Sequence, residues 1–320
     1  MESKTNSESH RSELISVSRS GLVEEVSIPF SQSFELYHNA FSLCSMKVRL
    51  CLSELGLAYK SHHIDLIETG SYENIRRSFK QVNPGCTVPL LVHNGHPVYE
   101  SHEQIRYLGT HAGEGASSLL PGETNLHARM EHWIDLSSLT DDPLQNTHLS
   151  AGNAVPGLTL PLFVTMIEKI PYYRIAEGFL FHFDKRRPMM FTAMKLFGLN
   201  VFNKVELLRR AIEVSSIDMQ AHINKLEEQL TEVPGQWIIG GQFTLADVSW
   251  MVIFERLRQA DSLDLFINPN ETPACCAWWQ ACIARPAYTE AIVAHEHPIV
   301  RYGIERLRSL RFSNPVVKAH

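Results

Sequence analysis

The chain lacks an excess of basic charge. Its 29 Lys and Arg residues stand against 35 Asp and Glu residues, which gives a formal net charge of −6. The basic residues are scattered with acidic ones between them, so the sequence offers no basic stripe for a phosphate backbone. We therefore expect no nucleic-acid partner.

Cysteines are few, and none of them forms a paired metal-binding motif. The 320 residues contain six cysteines, without the two CxxC pairs that structural zinc sites use. No spacing indicates a structural disulfide either. The sequence therefore favours a reducing cytoplasm and a protein without a metal cofactor.

A long uninterrupted apolar run is also absent. The longest apolar region, residues 155–183, is broken by prolines and charged residues, which makes it unsuited to cross a bilayer. Residues 1–32 are rich in Ser, Glu and Lys and lack a basic start followed by an apolar run, so we interpret them as a disordered tail. Neither export nor a membrane span is expected.

The sequence does contain the patterns of two domains, which its length permits. Residues 33–112 predict an α/β domain in the order βαβ followed by ββα, with a tight hairpin at Asn94-Gly95. Residues 122–310 carry the helical period of 3.6 and predict an all-α domain. Within it, residues 140–204 form an irregular insertion rich in aromatic residues and methionine. We interpret this insertion as an additional part of the hydrophobic core, and a lid or a wall of the substrate site are the alternatives.

Ser42 and Cys44 lie where the first predicted strand, 33–38, runs into a helix that begins near Leu43 and ends at Gly56. Unpaired N–H groups and the positive end of the helix dipole favour an anion there, and they favour the reactive thiolate of a cysteine. Cys44 also shares helical spacing with Cys51, which is equally consistent with a small core residue. Spacing alone favours the core interpretation.

Three further stretches carry a family resemblance: NPGCTVPLL at 83–91, ESHEQIRYL at 100–108 and FTLAD at 243–247. Together they resemble the glutathione transferases, over residues 33–112 most closely. The resemblance implies a thioredoxin-like domain followed by an all-helical domain, with glutathione as co-substrate and a small hydrophobic electrophile as second substrate. It also implies a homodimer.

The stretch FSLCSMKVR at 41–49 resembles the Ser-x-Cys-Ser-x-(Lys/Arg)-x-Arg signature of the zeta-like group. It is similar to that of the glutathione-dependent reductive dehalogenases of chlorinated hydroquinones. This resemblance implies that Cys44 is the redox nucleophile and that Ser42 assists glutathione. We further expect Lys47 and Arg49 to stabilise the Cys44 thiolate.

The resemblance also assigns a glutathione-binding role to four residues. It implies that Val88 and Pro89 form a cis-proline turn whose backbone pairs with the cysteinyl part of glutathione. It implies that Glu100 and Ser101 receive the γ-glutamyl ammonium and carboxylate at a helix start.

Two capping boxes are predicted, one from Ser101 with Gln104 and one from Thr244 with Asp247. Cys86, which precedes the cis-proline turn, fits a passive thiol better than a ligand contact. The histidines lack metal-ligand spacing and are expected to have no function.

Three alternative functions remain open at this point. One is a zeta-type cis–trans isomerase, which needs a basic pocket that residues 174–187 can supply. Another is a conjugating or ether-cleaving transferase that uses Ser42 alone. The third is a non-catalytic binding protein with the glutathione transferase fold.

Overall fold

The structure is a computed structural model that describes residues 20–113, 115–140, 148–182 and 185–313, with side chains to residue 310. It consists of a five-stranded mixed sheet flanked by helices, followed by a helical domain, which confirms the predicted fold class. The strands are β1 Gly21–Leu22, β2 Phe34–His38, β3 Lys60–His63, β4 Leu90–His93 and β5 His96–Tyr99.

The sheet has the strand order β1-β5-β4-β2-β3, in which only β2 and β3 are parallel. Its first strand corrects the prediction of a disordered tail over 1–32, because Gly21 pairs with Tyr99 and Ile28 is buried beneath the β4–β5 hairpin. A two-residue strand in a polar stretch has too little periodicity to be recognised. Residues 1–19 lie outside the described residues.

Three helices belong to the first domain: α1 Leu43–Glu54, α2 Arg77–Val82 and α3 Ser101–Gly109. The first confirms the predicted helix, because Gly56 follows its C-terminus with a φ of 61°, in the left-handed region that glycine tolerates. Short 3₁₀ turns, Ile67–Thr69 and Glu73–Ile75, lead into α2.

The remaining helices form the second domain. They are α4 Thr124–Leu136, α5 Ala151–Ile167, α6 Tyr172–Phe181, α7 Arg186–Phe197, α8 Val201–Lys204, α9 Glu206–Glu232, α10 Leu245–Gln259, α11 Leu263–Phe266, α12 Pro273–Ile283, α13 Pro286–Ala291 and α14 Pro298–Ser313. Two further 3₁₀ turns are Gly198–Asn200 and Val293–His295.

Much of the predicted irregular insertion is helical. Helix α5 contains Pro156 and Pro161, which hid its periodicity, and most of its residues are buried. At Gly157 this helix approaches α9 so closely that a Cβ atom would lie 2.7 Å from the carbonyl oxygen of Ala211. None of the helices in the described ranges is long and apolar enough to span a bilayer.

The two domains are joined through α1. Arg49 is fully buried and donates from Nε to the carbonyl oxygen of Ala291 at 2.8 Å and from Nη1 to that of Asn39 at 2.9 Å. At the far end of α1, Glu54 accepts two hydrogen bonds of 2.6 Å from Arg285. The core is continuous across this junction.

The capping box predicted from Ser101 and Gln104 is wrong. The N-cap position of α3 is Glu100, and Gln104 is fully buried, donating from Nε2 to the carbonyl oxygens of Pro89 at 3.0 Å and Val98 at 2.8 Å. Its amide therefore joins α3 to the Val88-Pro89 turn and to β5. The capping box of Thr244 and Asp247 is confirmed.

Candidate functional site

The candidate site lies at one edge of the sheet, where the ends of three neighbouring strands meet. Strand β2 ends beside the start of β4, because Tyr37 pairs with Leu90. Strand β5 ends there as well, because Val98 pairs with Leu91. The register therefore brings together the turn before α1, the Val88-Pro89 turn and the start of α3.

Ser42 is the N-cap residue of α1. Its Oγ accepts a hydrogen bond from the N–H of Ser45 at 3.2 Å, so that its own hydroxyl proton remains available to a ligand. The fully buried Asn39 shapes the turn, since its Oδ1 accepts from the N–H groups of Phe41 and Ser42. Asn39 was not among the predicted residues, although an Asn that follows a strand is typical of such turns.

Cys44 lies in the first turn of α1 and is partly exposed, whereas Cys51, two turns further, is fully buried. Burial raises the pKa of the Cys51 thiol, which makes it inert. Ser45 is also fully buried, and its Oγ accepts a hydrogen bond from the N–H of Asn39. The N-terminus of α1 thus presents Ser42 and Cys44 to solvent or to a ligand.

Lys47 is almost completely buried near Cys44. Its ammonium donates no hydrogen bond in the part of the chain that the structure describes, and burial lowers its pKa while the charge on Cys44 opposes that shift. An unpaired buried cation is costly unless an anion accompanies it. Lys47 lies where a cation could act on Cys44, and its role there stays a prediction. Arg49 lies elsewhere, because its guanidinium is used at the domain junction.

Arg256 brings a second buried cation to this place from α10. Its guanidinium stacks on Phe41 with 3.6 Å between Cζ and the ring centroid, and Nη2 donates to the Phe41 carbonyl oxygen. Its Nε is buried without a partner among the described residues. Burial lowers the pKa of Arg256 to about 9, and the charges on Glu255, Glu68 and Cys44 act in the opposite direction. In the sequence, Arg256 is recognisable only as a charged residue within an apolar helix.

The two turns expected to bind glutathione leave their polar groups available. The Val88-Pro89 bond is cis, and neither the N–H nor the C=O of Val88 has a partner among the described residues. Ser101 is the first residue of α3, 8% exposed, with a hydroxyl that bonds to none of them either. Glu100 is exposed and has a φ of 64°, which is uncommon for a residue with a side chain.

Cys86 does not join this group. It is buried in the apolar cluster that contains Ile75 and Tyr72, and burial raises the pKa of its thiol. A cavity of about 390 Å³ lies on the other side of that cluster, between the first domain and α6. Its lining is basic at Arg76, Arg77, Lys80 and Arg174.

The described residues contain no group of three His, Cys, Asp or Glu side chains that would hold a metal ion. The histidines instead take structural positions. His38, for example, is buried between Arg49 and Ser61, and burial together with the Arg49 charge lowers its pKa to about 2.

Comparison with protein families gives two matches that follow the two domains. Residues 41–111 match the glutathione S-transferase N-terminal domain, and residues 214–286 match the glutathione S-transferase C-terminal domain. The first match contains the whole candidate site except Asn39 and Arg256. The second contains Arg256.

Individual relatives agree with these matches. Glutathione S-transferase TCHQD of Arabidopsis thaliana is 25% identical over 261 residues, which are 81% of this chain and 89% of that protein. The tetrachloro-p-hydroquinone reductive dehalogenase of Sphingobium chlorophenolicum is 22% identical over 260 residues, 81% of this chain and 95% of that protein. The crystal structure of the β-etherase LigF from Sphingobium sp. strain SYK-6 superposes with a TM-score of 0.64 at 20% identity, covering 82% of this chain and all of LigF.

Proposed function

Because the chain carries the N-terminal and C-terminal domains of the glutathione S-transferase family, we propose that it is a transferase of the reductive dehalogenase or thiol-transfer type. Its second substrate is an aromatic or quinone-like electrophile. The observation that carries the proposal is the partly exposed Cys44 beside two buried cations, Lys47 and Arg256. Among the described residues neither cation forms an ion pair with a carboxylate, although the charges of Glu255 and Glu68 also act on Arg256.

Glutathione binds along the sheet edge. The free backbone groups of Val88 pair with its cysteinyl part, as they would with an added strand. The Ser101 hydroxyl and the first amides of α3 receive the γ-glutamyl carboxylate, and Glu100 receives the ammonium. This arrangement directs the glutathione sulfur toward the start of α1.

Ser42 activates that sulfur. Its oxygen already accepts from Ser45, so its hydroxyl donates outward to the glutathione thiolate. A hydrogen bond to the charged form lowers the pKa of the thiol. The nucleophile is then present at neutral pH.

Cys44 performs the redox step. The glutathione thiolate first displaces halide from the activated ring and forms a thioether conjugate. The Cys44 thiolate attacks the sulfur of the conjugate, the carbon–sulfur bond breaks, and the ring carbon takes a proton. A second glutathione thiolate then attacks the mixed disulfide on Cys44 and releases glutathione disulfide. Two glutathione molecules are oxidised, and one carbon–halogen bond becomes carbon–hydrogen.

Two buried cations support this use of Cys44. Lys47 and Arg256 stabilise a thiolate in the first turn of α1, and they equally stabilise the phenolate of a hydroquinone held there. The similarity to a protein named as a reductive dehalogenase agrees with the same chemistry. We expect the enzyme to act in the cytoplasm as a homodimer.

Ether cleavage by Ser42 alone is the second candidate. It is favoured by the free hydroxyl of Ser42 and by the similarity to a protein named as a β-etherase. In that reaction the glutathione thiolate displaces an aryloxide, and Cys44 takes no part. The two candidates therefore differ in their need for Cys44.

Intact-mass analysis after incubation with glutathione and chlorinated hydroquinones tests the proposal. We expect a glutathione adduct on Cys44, and we expect Cys44→Ser to accumulate the conjugate without forming reduced product. The matched control is Cys276→Ser, which changes another partly exposed cysteine in α12 and should leave turnover unchanged. Full activity of Cys44→Ser on every substrate found would exclude the redox mechanism and favour the Ser42 transferase.

A further inference from the structure

Helices α6 and α7 expose an unusual number of large apolar side chains. Leu180 and Phe181 are 73% and 66% exposed, and Tyr172 and Tyr173 are more than half exposed. These two helices lie between the regions that match the family, 41–111 and 214–286. Exposed clusters of this kind are uncommon on a free protein surface and mark a contact with a partner or a membrane.

Five of the six exposed residues of α6 form one stripe, and Phe181 lies outside it at the end of the helix. Tyr172, Tyr173, Ala176, Phe179 and Leu180 follow the spacing i, i+1, i+4, i+7 and i+8, and all are exposed. The inward positions are the buried Ile175 and Gly178. A surface helix normally turns its polar residues outward, so α6 has an apolar outer face where a polar one is expected.

Helix α7 carries a second exposed stripe. Met189 and Leu196 are exposed at helical spacing, and Phe197 follows at the end of the helix. Lys195 lies with its Nζ 4.9 Å from the ring centroid of Tyr172, which places the last turn of α7 beside the first turn of α6. We call the two exposed stripes together, residues 172–181 and 186–197, the aromatic face.

Basic residues accompany the aromatic face. The sequence from 169 to 204 has seven Lys and Arg residues against two acidic residues, a net charge of +5. Because the whole chain has a net charge of −6, the residues outside this segment carry a net charge of −11. The cavity beside Phe181 adds Arg76, Arg77 and Lys80 to this region, together with Glu177. Two of the basic residues are held in ion pairs, Arg174 with Glu177 and Arg187 with Glu68.

We propose that the aromatic face rests on an anionic lipid bilayer, with α6 and α7 in the plane of the interface. Aromatic and aliphatic side chains enter the boundary between headgroups and acyl chains, while the basic residues contact lipid phosphates. The proposal is independent of the catalytic mechanism. It differs from a membrane span, for which no described helix is suited.

Charge favours a bilayer over a second copy of the chain as the occupant. A symmetric dimer through the aromatic face would bring together two surfaces of equal positive charge. An anionic membrane neutralises the same charge. Residues 169–204 thus form a basic segment within a chain whose overall net charge is negative, and this segment is attracted to such a surface.

Flotation of the full-length protein with lipid vesicles tests the proposal. We expect binding to vesicles of phosphatidylcholine with phosphatidylserine, at least tenfold weaker binding to phosphatidylcholine alone, and release at high salt. Replacing Phe179, Leu180 and Phe181 with serine should weaken the binding at least tenfold. The matched control is Ile217→Ser, a 71% exposed residue of α9, which should bind like the unchanged protein.

A second variant separates the contribution of charge. Lys185→Glu reverses an exposed basic residue next to the aromatic face and should weaken binding to the anionic vesicles at least about fivefold. Absence of binding to either vesicle would overturn the proposal, as would equal binding by the triple-serine variant. Loss of a dimer in that variant by light scattering, without any vesicle binding, would instead assign the aromatic face to a second copy.

Discussion

The glutathione site proposed at the start of α3 allows a quantitative prediction. Ser101→Ala removes a hydroxyl that bonds to no described residue, so that the variant loses a contact with glutathione and no contact within the protein. The main-chain amides of the first turn remain. A hydrogen bond to a charged group contributes about 1.5–3 kcal/mol, and we therefore expect the dissociation constant for glutathione to rise about 10- to 150-fold.

Isothermal titration calorimetry measures this change directly. Ser150→Ala is the matched control, because Ser150 caps α5 and its Oγ accepts from the N–H of Asn153. That substitution should lower the stability of the protein by about 1 kcal/mol and leave the affinity unchanged. An unaltered dissociation constant in Ser101→Ala would refute the assignment of the γ-glutamyl carboxylate to this helix start.

Three further predictions concern the thiol chemistry and the packing. Ser42→Ala should raise the pKa of bound glutathione by about 1–2 units in a thiolate absorbance titration, since one charge-assisted hydrogen bond is lost; an identical curve would assign activation to another group. Lys47→Met removes an unpaired buried cation, so the midpoint temperature of thermal unfolding should rise. Alkylation of Cys44 by iodoacetamide should then need a higher pH, because the thiolate loses a stabilising charge. Unchanged alkylation would disprove the role of Lys47 in stabilising that thiolate. Gly157→Ala should destabilise the protein by about 1–3 kcal/mol in urea unfolding, because α5 and α9 are in close contact there. Gly122 has open space around it, so Gly122→Ala should change the stability by less than about 0.5 kcal/mol. Equal stability of the two variants would contradict the observed packing.

Local sequence signals predicted most of the first domain. Asn94-Gly95 forms the hairpin turn with positive φ at both residues, and Gly56 ends α1. These features depend on a few neighbouring residues, which is why the sequence is sufficient for them. The same holds for Ser42, whose place at a helix start follows from the strand and helix patterns on either side.

Local sequence signals could not predict the contacts between residues that are far apart in the chain. Arg256 reaches Phe41 across 215 residues, and Arg49 was expected at the thiol although its donors bond to Ala291 and Asn39. A periodic pattern shows which face of a helix is buried but not which distant element covers it. Gln104 illustrates the same limit, because its spacing from Ser101 fits a cap while its amide donates to the carbonyl oxygens of Pro89 and Val98.

The junction along α1 restricts how reactants enter. In the middle of α1, Arg49 donates a hydrogen bond to the carbonyl oxygen of Ala291, and at the C-terminus of the helix Glu54 pairs with Arg285. The two domains therefore share polar contacts as well as a hydrophobic core. Opening the molecule by a hinge between the domains would break all of these contacts together. Reactants therefore reach Ser42 and Cys44 at the partly exposed start of α1, without a hinge opening between the two domains.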